Sequence, residues 1–263
     1  MQRRGQVFLI GAGPGDVELL TLKAVRMLAE ADAVVYDRLV SAEILALAPA
    51  GARMVAVGKA PKCHTVPQHR INEILAELAD EGLTVARLKG GDPLIFGRGS
   101  EEAAYLRTRG IEVSYCPGIT AAQGAASVSG VPLTHRGLAT SVRYVTGHRQ
   151  ADRPLDLDWK SLASGDTTLV VYMGAANIGE IAMRLMTEGL TGSTPVMAIA
   201  HATNANEQRH FSTLDHIGPE MKRAPLPSPT LFFIGRVVSL AAESGFQAAL
   251  PDMVQKAALA ANA

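Results

Sequence analysis

Two glycine clusters place backbone where it could meet a ligand. Residues 11–16 read GAGPGD directly after the apolar run 6–10, and residues 89–100 read KGGDPLIFGRGS directly after the run 84–88. Glycine lets main chain approach a bound molecule with no side chain in between, and in open α/β sheets ligands bind beyond the carboxyl ends of strands. The first cluster departs from the dinucleotide pattern G-x-G-x-x-G, because Asp16 stands at the third glycine. Pro14 also stiffens that turn and removes a backbone donor. Neither cluster continues into the Gly-Lys-Ser/Thr of a triphosphate cradle. Taken alone, the first is equally well explained as a tight strand-to-helix turn. The second is long for a mere connection. With Asp92 free to meet an amine or hydroxyl, the two together favour an adenosine-type ligand held by backbone groups. Cys63, His64 and His69 supply too few ligands, at unconvincing spacing, for a metal.

The elements that must carry these loops follow from hydrophobic periodicity. Strands are expected at 6–10, 33–36, 53–57, 84–88 and 112–115, separated by helical patterns. One such pattern, capped by Thr21, bears Leu22, Val25, Met27 and Leu28. Another bears Ile71, Ile74, Leu75 and Leu78 and stops at Gly82; two more span 101–109 and 120–129. Alternating strands and helices imply a mostly parallel sheet covered on both faces. A break at 130–137, GVPLTHRG, reads as a linker, which predicts an N-terminal α/β domain over 1–133 and a C-terminal α/β domain over 134–263. Strands are expected in the second half at 141–146, 167–172, 195–200, 208–213 and 230–234, with helical spacing at Ile178, Ile181, Leu185 and Met186. The short step from 200 to 208 leaves little room for a crossover helix, so part of that sheet should be antiparallel.

Composition narrows the class. The 263 residues carry 25 Lys and Arg against 25 Asp and Glu, so no global field recruits nucleic acid or an anionic membrane. Aromatic residues are only 5%, which argues against base-stacking platforms, while 48% hydrophobic content excludes disorder. The stretch 113–134 lacks charged Asp, Glu, Lys and Arg but contains Pro117, Pro132 and three glycines, and is no membrane helix. Two cysteines without a C-x-x-C pair, and a start without a cleavable apolar leader, point to the cytoplasm.

The segments GAGPGD, VVYDRLVS, GKAPKCHTVPQHRIN, RLKGGDPLIFGRGSEE, CPGITAAQGAASVSGVPLTHRG, VTGH and VVYMG follow one another over nearly the whole chain. In that order they closely resemble the tetrapyrrole methylase family, in particular its members that methylate uroporphyrinogen III. The resemblance implies two α/β domains with mixed sheets, S-adenosyl-L-methionine (leaving as S-adenosyl-L-homocysteine) in the interdomain cleft, no metal, and a homodimer. It implies transfer of two methyl groups, to C-2 and C-7, giving precorrin-2 via precorrin-1 on the way to sirohaem, cobalamin or haem d1. With no dehydrogenase or ferrochelatase module ahead of the array, a stand-alone enzyme is expected.

Carried across residue by residue, the resemblance assigns donor contacts to Pro14, Gly90, Gly91, Asp92, Ile95, Thr120, Ala121 and Met173. A further family contact falls on a glycine, where this chain has Ala202 between His201 and Thr203; a methyl group is tolerable there if φ is negative. Asp37 and Lys59 match the proton acceptor and proton donor. Without the motifs, Asp37 would read as a helix cap or a partner of Arg38, and Lys59 as a solvated loop lysine. A substrate ringed by carboxylates needs gathered cations, and Arg38, Arg98, Arg136 and Arg149 in the motif loops are candidates. Lys62 and Arg143 lie nearby, although any one of these is explicable as a surface charge. Three alternatives stand beside this: a methylase of a later corrin intermediate, a Rossmann-type oxidoreductase with Asp37 on a ribose, and a non-catalytic tetrapyrrole-binding module.

Overall fold

The computed structural model describes residues 4–58, 66–148 and 155–241. The chain divides into two compact units, Met1–Gly124 and Ala125–Ala263. The division lies inside a helix, Ala121–Ser129, whereas the sequence breaks its pattern a few residues later, at Gly130.

The first unit holds strands β1 (Gln6–Gly11), β2 (Ala33–Tyr36), β3 (Arg53–Ala56), β4 (Thr84–Lys89) and β5 (Glu112–Cys116). Between them run helices α1 (Leu22–Ala29), α2 (Ala42–Leu45), α3 (Gln68–Asp80) and α4 (Gly99–Thr108), and α5 (Ala121–Ser129) follows. The strand order is β3-β2-β4-β1-β5, and every pairing is parallel. Side chains alternate across the strands and both faces are covered. Val7, Leu9, Ala33, Val35 and Val85 pack with Leu75 of α3 and Ala103 and Leu106 of α4. Phe8, Ile10, Val34, Ala86 and Leu88 pack with Met27 and Leu28 of α1 and Ile44 of α2. Thr21 caps α1 by accepting the Ala24 N–H at 3.0 Å.

That order matters for the ligand. In the classic dinucleotide fold the second strand lies beside the first. Here β4 is inserted between β2 and β1, so the two glycine clusters leave neighbouring strands at the same sheet edge. The Rossmann-type alternative fails on this topology.

The second unit holds β6 (Ser141–Thr146), β7 (Thr167–Tyr172), β8 (Pro195–Ala200), β9 (Gln208–Thr213) and β10 (Thr230–Ile234), with α6 (Trp159–Leu162), α7 (Ile178–Thr187) and α8 (Ile217–Arg223). Its order is β6-β7-β10-β8-β9. The β6–β7 pair is parallel and the rest are antiparallel, as the short β8–β9 connection requires. Ile181 and Leu185 of α7 and Ile217 and Met221 of α8 pack on Leu169, Val171, Val196, Ala198, Phe232 and Ile234.

Candidate active site

Three loops at the carboxyl edge of the first sheet are tied together, two of them main chain to main chain. Gly13 donates to the Gly91 carbonyl at 3.2 Å and Gly91 returns a bond to the Gly13 carbonyl at 2.6 Å. Both glycines have φ of +69°, a left-handed conformation that costs them no steric strain. The loop after β5 joins through Asp92, whose Oδ2 accepts the Gly118 N–H at 3.0 Å while Oδ1 accepts the Leu94 N–H at 2.8 Å. Asp92 is therefore not the free carboxylate the sequence suggested; it ties two loops together. Side chains are excluded from the junction: a Cβ on Gly118 would lie 2.2 Å from the Gly91 oxygen, and one on Gly11 2.5 Å from the Gly118 nitrogen.

Thr120 opens α5 with a reciprocal cap, its N–H reaching Gln123 Oε1 at 3.0 Å and its Oγ1 accepting the Gln123 N–H at 3.2 Å. Pro14, Gly90, Gly91, Asp92, Ile95, Thr120 and Ala121 thus all sit on these joined loops. Leu94, Ile95 and Phe96 leave large apolar surface exposed beside them.

The Asp37 loop leans on the same edge. A Cβ on Gly90 would lie 2.7 Å from Leu39 Cβ, and one on Gly58 would lie 2.5 Å from the Arg38 nitrogen. Asp37 Oδ1 accepts the Leu39 N–H at 3.0 Å, which pins the carboxylate to its own turn rather than to Arg38. Its Oδ2 lies 3.7 Å from an Nη of Arg87. Lys59 falls just past Gly58 and outside the described residues, as do Lys62, Cys63, His64 and Arg149.

Arg87 belongs to a group not anticipated from sequence. Arg87, Lys89 and Glu102 are 3%, 4% and 0% exposed, and Glu102 Oε1 accepts from Lys89 Nζ at 2.9 Å and Arg87 Nε at 3.3 Å. Burial, then the neighbouring Arg87 charge, hold Lys89 below the usual lysine range, with Glu102 and Asp37 opposing them. A signal was present in the strand T-V-A-R-L-K itself. Two cations at alternate positions of a central strand face the same side of the sheet and require a buried anion.

Among the arginines, Arg38 and Arg136 are exposed. Arg98 is engaged in a fork with Glu101 at 2.9 and 2.6 Å, which raises its pKa. Arg143 donates to the carbonyl and hydroxyl of Ser161, both at 2.8 Å.

In the second unit, a Cβ on Gly147 would lie 2.5 Å from Gly174 Cα, so the loops after β6 and β7 also meet glycine to glycine. Met173 precedes Gly174 with φ of +54° and is 50% exposed. Ala202 lies between His201 at φ +50° and Thr203 at φ +71°, and is itself absent from the left-handed residues. Its methyl group is therefore accommodated, as the sequence required. Among the described residues, the non-glycine positions with left-handed φ are Phe96, Arg98, Met173, His201 and Thr203. All fall in or next to segments assigned to ligand contact, where backbone strain of this kind concentrates.

Residues 6–218 match the family model for the tetrapyrrole (corrin/porphyrin) methylases. A uroporphyrinogen-III C-methyltransferase of Paracoccus denitrificans is 57% identical over 90% of this chain and 83% of its own length. A siroheme synthase of Hahella chejuensis is 47% identical over 90% of this chain, which spans 50% of that longer protein. Among solved structures, a uroporphyrin-III C-methyltransferase of Thermus thermophilus complexed with S-adenosylhomocysteine superposes with a TM-score of 0.78. It is 39% identical, over 90% of this chain and 100% of that one.

Proposed function

The chain belongs to the tetrapyrrole (corrin/porphyrin) methylases, and we propose that it methylates uroporphyrinogen III twice, at C-2 and C-7, to give precorrin-2 via precorrin-1. The methyl donor is S-adenosyl-L-methionine, in keeping with the S-adenosylhomocysteine held by the Thermus relative. What supports this most directly in the geometry is the junction of the loops after β1, β4 and β5, with the Asp37 turn packed against it.

The residues present fit an adenosyl sulfonium. Glycines at 11, 13, 90, 91 and 118 let main chain crowd together with no side chain in between, and the exposed Ile95 adds an apolar surface beside them. Uncharged main-chain dipoles suit a cationic sulfur, and both oxygens of the Asp92 carboxylate are already held by backbone N–H groups. We assign donor contacts to Pro14, Gly90, Gly91, Asp92, Ile95, Thr120 and Ala121, and to Met173 and Ala202. In this assignment Asp92 acts by shaping the loops, since both its oxygens already accept backbone N–H groups.

When bound, the donor supplies a methyl group to an electron-rich pyrrole carbon by in-line displacement. The chain's part is alignment at near-attack distance and removal of the proton that the alkylated ring must lose. Asp37 is the acceptor we assign: its Oδ1 is fixed by the Leu39 N–H, leaving Oδ2 as the basic atom. Lys59 is assigned as proton donor on the family pattern. Arg38 and Arg136 are available for substrate carboxylates; Arg98 would exchange its Glu101 partner for one, and Arg149 completes the set. A homodimer in the cytoplasm accompanies this function. Zero net charge accords with a small-molecule partner and with neither nucleic acid nor an anionic membrane. Among the described residues, no helix is long and apolar enough to cross a membrane.

The test is incubation with S-adenosyl-L-methionine and enzymatically made uroporphyrinogen III, followed by mass spectrometry. A gain of two methyl groups is expected; no mass change overturns the assignment.

A further inference from the structure

Lys89, Glu102, Arg87 and Asp37 form one continuous line of charge at the carboxyl end of β4. The line starts in the interior, where Glu102 Oε1 gathers Lys89 Nζ at 2.9 Å, Gln68 Nε2 at 3.1 Å and Arg87 Nε at 3.3 Å. The guanidinium has a second anchor, because one Nη donates to the Leu88 carbonyl at 2.9 Å. Two fixed attachments leave the planar group no freedom to rotate. Its other Nη then faces outward and meets Asp37 Oδ2 at 3.7 Å, at the point where the Asp37 side chain is 26% exposed.

Stability alone does not account for this arrangement. Burying ions forfeits their hydration, and apolar side chains of similar volume commonly serve a core as well or better. Nor does Glu102 make full use of its position: its Oε2 is buried with no hydrogen-bond partner. A fold that accepts these costs beside a partly exposed carboxylate has placed a rigid cation there. We propose that Arg87 is a positioning residue for Asp37, its guanidinium locked by Glu102 and the Leu88 carbonyl so that it fixes the direction of the Asp37 carboxylate toward substrate. The separation of 3.7 Å is longer than a hydrogen bond, so Arg87 orients Oδ2 without consuming the lone pair that would take the proton. Glu102 acts one step further back, by holding Arg87. This rests on Asp37 as the proton acceptor.

The experiment is a double-mutant cycle on the full chain with both substrates. Arg87→Lys keeps the charge beside Glu102, but a lysine cannot hold Glu102, the Leu88 carbonyl and Asp37 together. Arg87→Lys is expected to lower kcat by roughly 10- to 100-fold, the scale of a misplaced reacting group, with S-adenosylhomocysteine affinity unchanged by calorimetry. In the Asp37→Asn background the same change should cost less than about twofold, because the group it orients has gone. A purely structural role would instead slow both backgrounds equally, and that result overturns the proposal, as does an Arg87→Lys enzyme of normal rate. Glu102→Gln, which keeps an acceptor for Arg87, provides a milder second cycle expected to show the same loss of effect with Asp37→Asn. If Asp37→Asn alone leaves turnover unchanged, the acceptor assignment itself fails and the positioning role fails with it. If Asp37→Asn is slow while Arg87→Lys is normal, only the positioning role fails.

Discussion

The Gly118 backbone N–H is held by Asp92 Oδ2 at 3.0 Å, across two loops that follow different strands. The other oxygen of the same carboxylate turns back to Leu94 N–H at 2.8 Å. An amide offers one acceptor oxygen, so Asp92→Asn sets an NH2 group against one of the two donors. The cost should be about 1–3 kcal/mol, the penalty of an unsatisfied polar group, read as a shift of the urea midpoint. S-adenosylhomocysteine should bind more weakly in parallel. A variant with unaltered midpoint and affinity would show that the loops hold their shape without this carboxylate.

Gly118 is equally exacting for steric reasons. Its Cβ would fall 2.2 Å from the Gly91 oxygen and 2.8 Å from Gly11 Cα, contacts that only main-chain movement can relieve. Gly118→Ala should therefore cost about 1–3 kcal/mol, as overpacking does, and weaken donor binding. Gly51→Ala is the matched control, since nothing lies within 4 Å of the added carbon. Calorimetry with S-adenosylhomocysteine should separate the two variants; equal affinities would remove the loop junction from the binding site.

The strands that carry these loops were legible because each is a short apolar run bounded by turn residues. All ten run within a residue of their expected bounds, and the tight step between β8 and β9 correctly announced antiparallel pairing. Strand order was not legible. Nothing local in residues 84–89 says that β4 lies between β2 and β1, although that placement brings the two glycine clusters together. The short helices α2, α6 and α8 were also missed, being too brief for a periodic signal. At the site, glycine content revealed where main chain comes close together, but not that both oxygens of Asp92 are engaged. Arg87 and Glu102 are 15 residues apart in sequence, and only the packing of α4 on β4 makes them partners. Long-range ion pairs of this kind leave a demand in the sequence, a cation in a buried strand, without naming what meets it.

Ala202 and Thr203 test whether strained backbone is retained at the second unit's loop after β8. Thr203 is β-branched with φ of +71°, and its N–H is tied to Glu207 Oε2 at 2.8 Å. Thr203→Gly should stabilise the fold by about 1 kcal/mol by relieving a left-handed conformation that costs roughly 1–2 kcal/mol in an L-residue. Ala202→Gly should do the reverse, losing about 0.4–1 kcal/mol through a more flexible unfolded chain, since Ala202 is not left-handed. Thermal unfolding of the two variants should move in opposite directions. Movement of both in the same direction would mean that φ does not govern stability at this loop.

Glu220 supplies a pH-dependent contribution to the second unit. Its Oε2 accepts the Ser212 hydroxyl at 2.6 Å and lies 2.7 Å from His210 Nε2, so β9 is fastened to the first turn of α8. The Ser212 bond foremost, then His210, hold Glu220 below the ordinary value of 4.5. A carboxyl depressed in the folded state favours folding at pH above that ordinary value, and the advantage is lost as pH falls through the lower folded value. Glu220→Gln should therefore be less stable than the unaltered chain above pH 4.5, and the difference should close as the pH is lowered further. Urea midpoints over a series of acidic buffers measure this directly. A difference that stays constant with pH would assign the Glu220 contribution to packing and hydrogen bonding, with no part for its charge.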